Sequence, residues 1–210
     1  MKFSTIPFCI LLVSTCSSAQ QNNPAVASGQ DNAKAATSSM FTGTRAPAEM
    51  NKLYPRIGEW RATIRTMPGP GSPEGGVDQG VMVIRKGPGG FSIVQDFQSH
   101  GFSGHLIGQS YTWWDSRAKA YKSVWCDNMQ GCTEFTTAIQ GNSWTVELDG
   151  TTNGTRVHTT IHATLSQDHN CIHEEFKNSY DGGPPRIATV GEYLRVTPGT
   201  VQEKQPACRK

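Results

Sequence analysis

The chain predicts an all-β fold: about ten antiparallel strands wound up and down into one closed barrel, with a short N-terminal helix ahead of them. Three observations carry this expectation. Ten segments alternate apolar and polar residues with period two, the gaps between them are short and rich in Gly, Pro, Asn and Asp, and no long helical periodicity follows Pro55. Short gaps suit hairpins and leave no room for parallel crossovers. A sheet of about ten strands with one apolar face loses its exposed edges by closing on itself.

Residues 1–19 open with Lys2, continue through the apolar run from Ile6 to Val13 and end in Ser17-Ser18-Ala19. That is the three-part pattern of a secretory signal peptide, with cleavage expected after Ala19. The run is much shorter than the roughly 20 apolar residues that span a bilayer, and no later segment comes close, so no membrane span is expected. Val13-Ser14-Thr15-Cys16 is a loose version of a bacterial lipoprotein box, which makes a lipid anchor at Cys16 the alternative. The expected location is secreted or periplasmic. Residues 20–44 are rich in Gln, Asn, Ala and Ser, and burial there cannot offset the entropy of ordering, so a disordered linker is expected. The barrel domain is expected over 45–200, with 201–210 as a C-terminal tail tied by a disulfide.

After Pro47, the segment AEMNKLYPRI reads as a short helix cut by Pro55. The strands centre on GEWRATIRT, VDQGVMVIRK, GFSIVQDFQ, LIGQSYTWWD, KAYKSVWC, CTEFTTAIQ, NSWTVELD, TRVHTTIHATL, CIHEEFKNS and RIATVGEYLRV, separated by turn chemistry such as KGPGG, DSRAKA, DNMQG and DGGPP. Alternation sorts inside from outside. The inward sets are Trp60, Ala62 and Ile64; Phe91, Ile93 and Phe97; Tyr121 and Trp125; Phe135 and Ile139; Trp144, Val146 and Leu148; and Val157, Ile161, Ala163 and Leu165. The last strand adds Ala188, Val190, Leu194 and Val196.

The 210 residues carry 19 basic and 17 acidic groups, and loss of Lys2 with the signal peptide leaves 18 against 17. A near-neutral balance with scattered Lys and Arg gives no electrostatic footprint for nucleic acid. Beyond Cys9 and Cys16 four cysteines remain, Cys126, Cys132, Cys171 and Cys208, an even number in a chain bound for an oxidising compartment. Three pairings are open. Cys126–Cys132 with Cys171–Cys208 is favoured, because the first pair brackets a short glycine-containing loop. A zinc site at these cysteines would need them reduced.

YTWWDSRAKAYKSVWCDNMQGC, residues 111–132, holds three of the five tryptophans. Together with LYPRIGEW at 53–60 and the closing GEYLRV, this stretch resembles the bacterial DUF1579 domains, in which Gly-x-Trp precedes a Tyr/Trp hairpin and a Trp-x-Asp-Ser/Asn-Met run. Here that run is Trp125-Cys126-Asp127-Asn128-Met129. The similarity covers most of residues 50–196 and implies a lipocalin-like, or calycin-type, barrel of uncharacterised function. In such barrels a tryptophan placed as Trp60 closes one end against the core. The cysteines flanking DNMQG and the Gly-Pro loop at 68–76 depart from the pattern, so the loops at the barrel mouth differ.

No set of residues has a specific catalytic spacing, and no cofactor or metal site is assigned. His158 and His162 would share a helix face, but on a strand they lie about 13 Å apart on the polar side. Only a cross-strand partner such as His173 would complete a site. The last strand lacks a histidine to serve as a haem ligand. GFSGH at 101–105 ends in His where the hydrolase elbow needs Gly, and reads as a glycine loop. NGT at 153–155 serves either as a hairpin turn or as a glycosylation acceptor. Glu192 is the acid placed among the inward residues Val190 and Leu194, unless it pairs with an arginine or a bulge at Gly191 turns it out. The leading expectation is therefore a barrel binding a small, largely apolar ligand among Trp60, Tyr121, Trp125, Phe135, Trp144 and Glu192. The alternatives are an envelope or interaction protein with a filled barrel, and a small hydrolase or isomerase using Glu192 with a histidine.

Overall fold

The computed structural model describes residues 45–152, 154–196 and Cys208. The expected signal peptide, the Cys16 anchor, the linker and Asn153 lie outside the described residues. Ten strands follow one another in chain order: β1 (Gly58–Thr66), β2 (Gly76–Lys86), β3 (Ser92–Gly101), β4 (Gly104–Asp115), β5 (Ala120–Asp127), β6 (Gly131–Gln140), β7 (Ser143–Thr152), β8 (Thr155–Leu165), β9 (Cys171–Tyr180) and β10 (Arg186–Arg195). Each pairs antiparallel with its neighbours in sequence, and β10 pairs with β1 to close the barrel. The fold is the all-β up-and-down barrel that the alternation predicts.

The short N-terminal helix is present as two 3-10 turns, Ala48–Lys52 and Tyr54–Arg56, rather than one helix. Pro55 has no N–H with which to continue an α-helical ladder, so the chain restarts after Leu53. These turns plug one end of the barrel. Met50 and Leu53 are completely buried, and each contributes about 1.5–3 kcal/mol through removal of its side chain from water. Two tyrosines hold the plug in place: the Tyr121 hydroxyl donates to Glu49 O at 2.8 Å, and the Tyr54 hydroxyl donates to Gly90 O at 2.9 Å. Around the plug packs the core, with Trp60, Ala62, Ile84, Ile93, Phe97, Tyr121, Trp144, Ala163, Leu165, Ile172 and Tyr193.

Two inward assignments are corrected. Phe91 follows the 3-10 turn Pro88–Gly90 outside β3 and is exposed. On β10 the inside and outside faces are exchanged relative to the expectation. Arg186 stands opposite Asn178 and Ile187 opposite Lys177, but the next pair is Thr189 with Phe176, so Ala188 is an extra residue in a bulge. One extra residue reverses every side chain beyond it. Thr189, Gly191, Tyr193 and Arg195 therefore face the interior side, while Val190, Glu192 and Leu194 turn outward. Val196 lies past the strand, its N–H donating to Glu59 O.

Both favoured disulfides are present. Cys126 and Cys132 stand directly opposite each other across β5 and β6 with a Cα separation of 4.0 Å. Cys171, at the start of β9, holds Cys208.

Candidate functional site

The interior of the barrel has four zones. At the plugged end Trp60 has no exposed surface. Its Nε1 donates to Arg56 O at 3.0 Å and the Arg195 guanidinium lies 4.1 Å from its ring centroid. Arg195 is itself fixed by three backbone carbonyls, donating to His169 O, Ile57 O and Pro55 O at 2.6–2.8 Å. Burial lowers its pKa, because the charged form has lost water. This group ties the plug to the two strands that close the barrel.

Above it one side of the interior is less completely covered. Ile64, Leu148, Ile161 and Phe176 sit on inward positions of β1, β7, β8 and β9, yet all keep accessible surface. A core packed to the density of a protein interior would have removed it. The opposite wall is polar. Thr112 Oγ1 and Ser123 Oγ lie 2.9 Å apart, Ser123 Oγ and Thr137 Oγ1 lie 3.1 Å apart, and Ser99 and Ser110 are buried nearby on β3 and β4. The mutual hydrogen bonds of Thr112, Ser123 and Thr137 remove the penalty of burying their hydroxyls. The interior thus has an apolar side that keeps accessible surface and a buried hydroxyl side.

Against the plug sits a charged cluster that sequence reasoning missed. Arg56, from the second 3-10 turn, reaches into the barrel and lies over the Trp144 indole at 4.1 Å. Its Nε is buried without a hydrogen-bond partner. Burial pushes its pKa down to about 10 against the opposing pull of Glu174 and Tyr193. The fall from 12.5 corresponds to a penalty on the order of 3 kcal/mol for holding the charge there. Glu174, inward on β9 between Ala163 and Gly191, accepts a hydrogen bond from the Tyr193 hydroxyl at 2.7 Å. Loss of water raises the Glu174 pKa, with the Tyr193 hydrogen bond and the Arg56 charge opposing. The Tyr193 hydroxyl is pushed well above its usual value, first by burial and then by the Glu174 charge. Arg56 and Glu174 are each half-buried as whole residues, while the Arg56 Nε itself is buried.

At the open end the loop between β1 and β2 folds over a cavity of about 210 Å³, lined among others by Thr66, Pro70, Asn178, Tyr180, Arg186 and Thr189. Thr66, Asn178 and Thr189 are inward positions of their strands, so this cavity is the barrel mouth.

The sequence-predicted pocket residues are distributed across these zones. Tyr121, Trp144 and Trp60 belong to the core at the plugged end. Trp125 is partly buried, with its Nε1 donating to Asp127 Oδ2 at 2.6 Å and its ring 6.3 Å from Phe97. Phe135, opposite Ser123, is partly buried on β6. Glu192 is corrected: it stands opposite Thr63 and His173 on the outer wall, apart from the enclosed space. A signal for Glu174 was available, since Ile172-x-Glu174-x-Phe176 sets an acid between two apolar residues on one strand face. Arg56 carried no such signal, because a residue in a short turn has no periodicity to orient it.

The other motifs resolve as structure. Ser103, from GFSGH, sits in the β3–β4 turn, and its N–H and hydroxyl both donate to the buried Asp78 carboxylate. His158 pairs with Asp149, and His173 with Glu175. Among the described residues no three His, Cys, Asp or Glu side chains are grouped to hold a metal ion. No helix among them is long and apolar enough to cross a membrane. A scan of protein-family models finds none that matches the chain, and a search of curated proteins finds no match either.

Proposed function

We propose that the protein is an extracytoplasmic, lipocalin-like barrel of the DUF1579 type that binds a small, largely apolar molecule in its interior. The observation that carries the reading is the set of inward apolar side chains, Ile64, Leu148, Ile161 and Phe176, which keep accessible surface in the middle of a closed barrel. A barrel filled by its own side chains would bury them as completely as it buries Met50, Leu53 and Trp60 at the plugged end. The mouth cavity gives a guest its way in. Two disulfides suit an oxidising compartment.

Titration with fatty acids, retinoids and porphyrins, followed by tryptophan fluorescence and by thermal melting, tests the reading. Trp125, partly buried beside Phe97, and Trp144, under the Arg56 guanidinium, are the reporters. At least one class is expected to change the emission and raise the midpoint. Silence in both readouts across the whole panel removes the binding function and leaves the interaction protein.

A further inference from the structure

The structure assigns a head-group site to the interior: we propose that the guest is an apolar-tailed monocarboxylate, its carboxylate docked on the Arg56 guanidinium beside the Tyr193 hydroxyl. This rests on the guest-binding reading above and deepens it.

Arg56 is the reason. It enters the barrel from the plug, covers Trp144 with one face and leaves a buried Nε donor unmet. Among the described residues no carboxylate lies within ion-pair distance of it. An unpaired buried guanidinium is costly in a binding-inert barrel, and an apolar residue would fill the same place at no such cost. A planar fork with one face stacked and its edge free matches the two oxygens of a carboxylate. Glu174 is near enough for Arg56 and the acid to feel each other electrostatically, and it already receives the Tyr193 hydroxyl. A dianionic phosphate would bring a second charge that the one guanidinium does not match, whereas a single negative charge is matched. An ammonium head would meet Arg56 as a like charge. For the tail, Leu148, Ile161 and Phe176 supply the apolar wall between this floor and the mouth.

The test uses the full chain with both disulfides formed and four probes of equal tail length: decanoate, 1-decanol, decyl phosphate and decylamine, each titrated by calorimetry. Decanoate is expected to bind at least about tenfold more tightly than 1-decanol, the gain of one charge-assisted pair. Arg56→Met is expected to bring decanoate down to the 1-decanol level while leaving 1-decanol within about twofold, and Arg56→Lys to restore part of the difference. Equal affinity for decanoate and 1-decanol in the wild-type chain overturns the head-group assignment and leaves the guest-binding reading standing. Decyl phosphate binding as tightly as decanoate, or Arg56→Met leaving decanoate unchanged, also overturns it. Binding of none of the four overturns both readings. Should Arg56→Met not fold, the wild-type series decides alone.

Discussion

Arg195 lies over Trp60, the guanidinium carbon 4.1 Å from the indole centroid, and from that position it reaches carbonyls on both the plug and the β8–β9 turn. One side chain thereby locks the first strand, the last strand and the closed end together.

Arg195→Ala leaves three carbonyls without their donor and uncovers the indole. A loss of about 3 kcal/mol or more is expected, seen as a lower urea midpoint with an unchanged slope. Arg195→Lys keeps the charge but cannot present a planar fork to three carbonyls, so it recovers less than half of that loss. A midpoint within experimental error of wild type for the alanine variant removes the locking role.

Glu174 makes stability depend on pH in a direction opposite to that of a salt-bridged acid. Burial raises its native pKa above the ordinary carboxyl value of 4.5, so over the interval between the two values the native state holds more protons than the unfolded one. Stability therefore falls as pH rises through that interval. Glu174→Gln removes the titration. Relative to wild type, the variant is expected to gain stability steadily between about pH 4 and the raised native value, read by urea unfolding at a series of pH values. A difference that stays constant with pH contradicts the buried placement.

Gly108 has its place because of Trp125: a Cβ at this inward position of β4 would collide with the indole. Gly108→Ala must displace the ring. The expected outcome is a loss of about 1–3 kcal/mol with a shifted tryptophan emission maximum and weaker binding of any guest. Unchanged emission would show that the ring is not held where the structure places it.

The two disulfides contribute unequally. Loop-closure entropy gives about 4 kcal/mol for Cys171–Cys208, which spans 37 residues, and about 2 kcal/mol for Cys126–Cys132, which spans 6. Cys171→Ser with Cys208→Ser is therefore expected to lower the thermal midpoint more than Cys126→Ser with Cys132→Ser. Equal shifts would mean that the longer link closes a loop already ordered by other contacts.

Strand placement was legible because the period-two signal is repeated along every segment and each turn carries its own Gly, Asn or Asp. GEWRATIRT and TRVHTTIHATL coincide with β1 and β8 from end to end. Inward identity failed on β10 because a bulge at Ala188 is set by pairing with β9, and nothing in IATVGEY announces it. The same rule that singled out Glu192 would have found Glu174 on a strand without a bulge. Arg56 lay beyond reach, since its direction is fixed by how a proline-interrupted turn seats in the barrel end, a tertiary property. The aromatic residues were expected to line a pocket, whereas Trp60 is fully enclosed by Arg195 and the plug.

The pairing of β1 with β10 joins segments more than a hundred residues apart in the chain. Until the tenth strand is available, the nine before it form an open sheet with two unpaired edges, each able to template a neighbouring molecule. Closure by so distant a pairing is slow, because loop entropy must be overcome before the ladder forms. A chain shortened before Arg186 would keep those edges permanently, and its fate would be self-association rather than a smaller barrel.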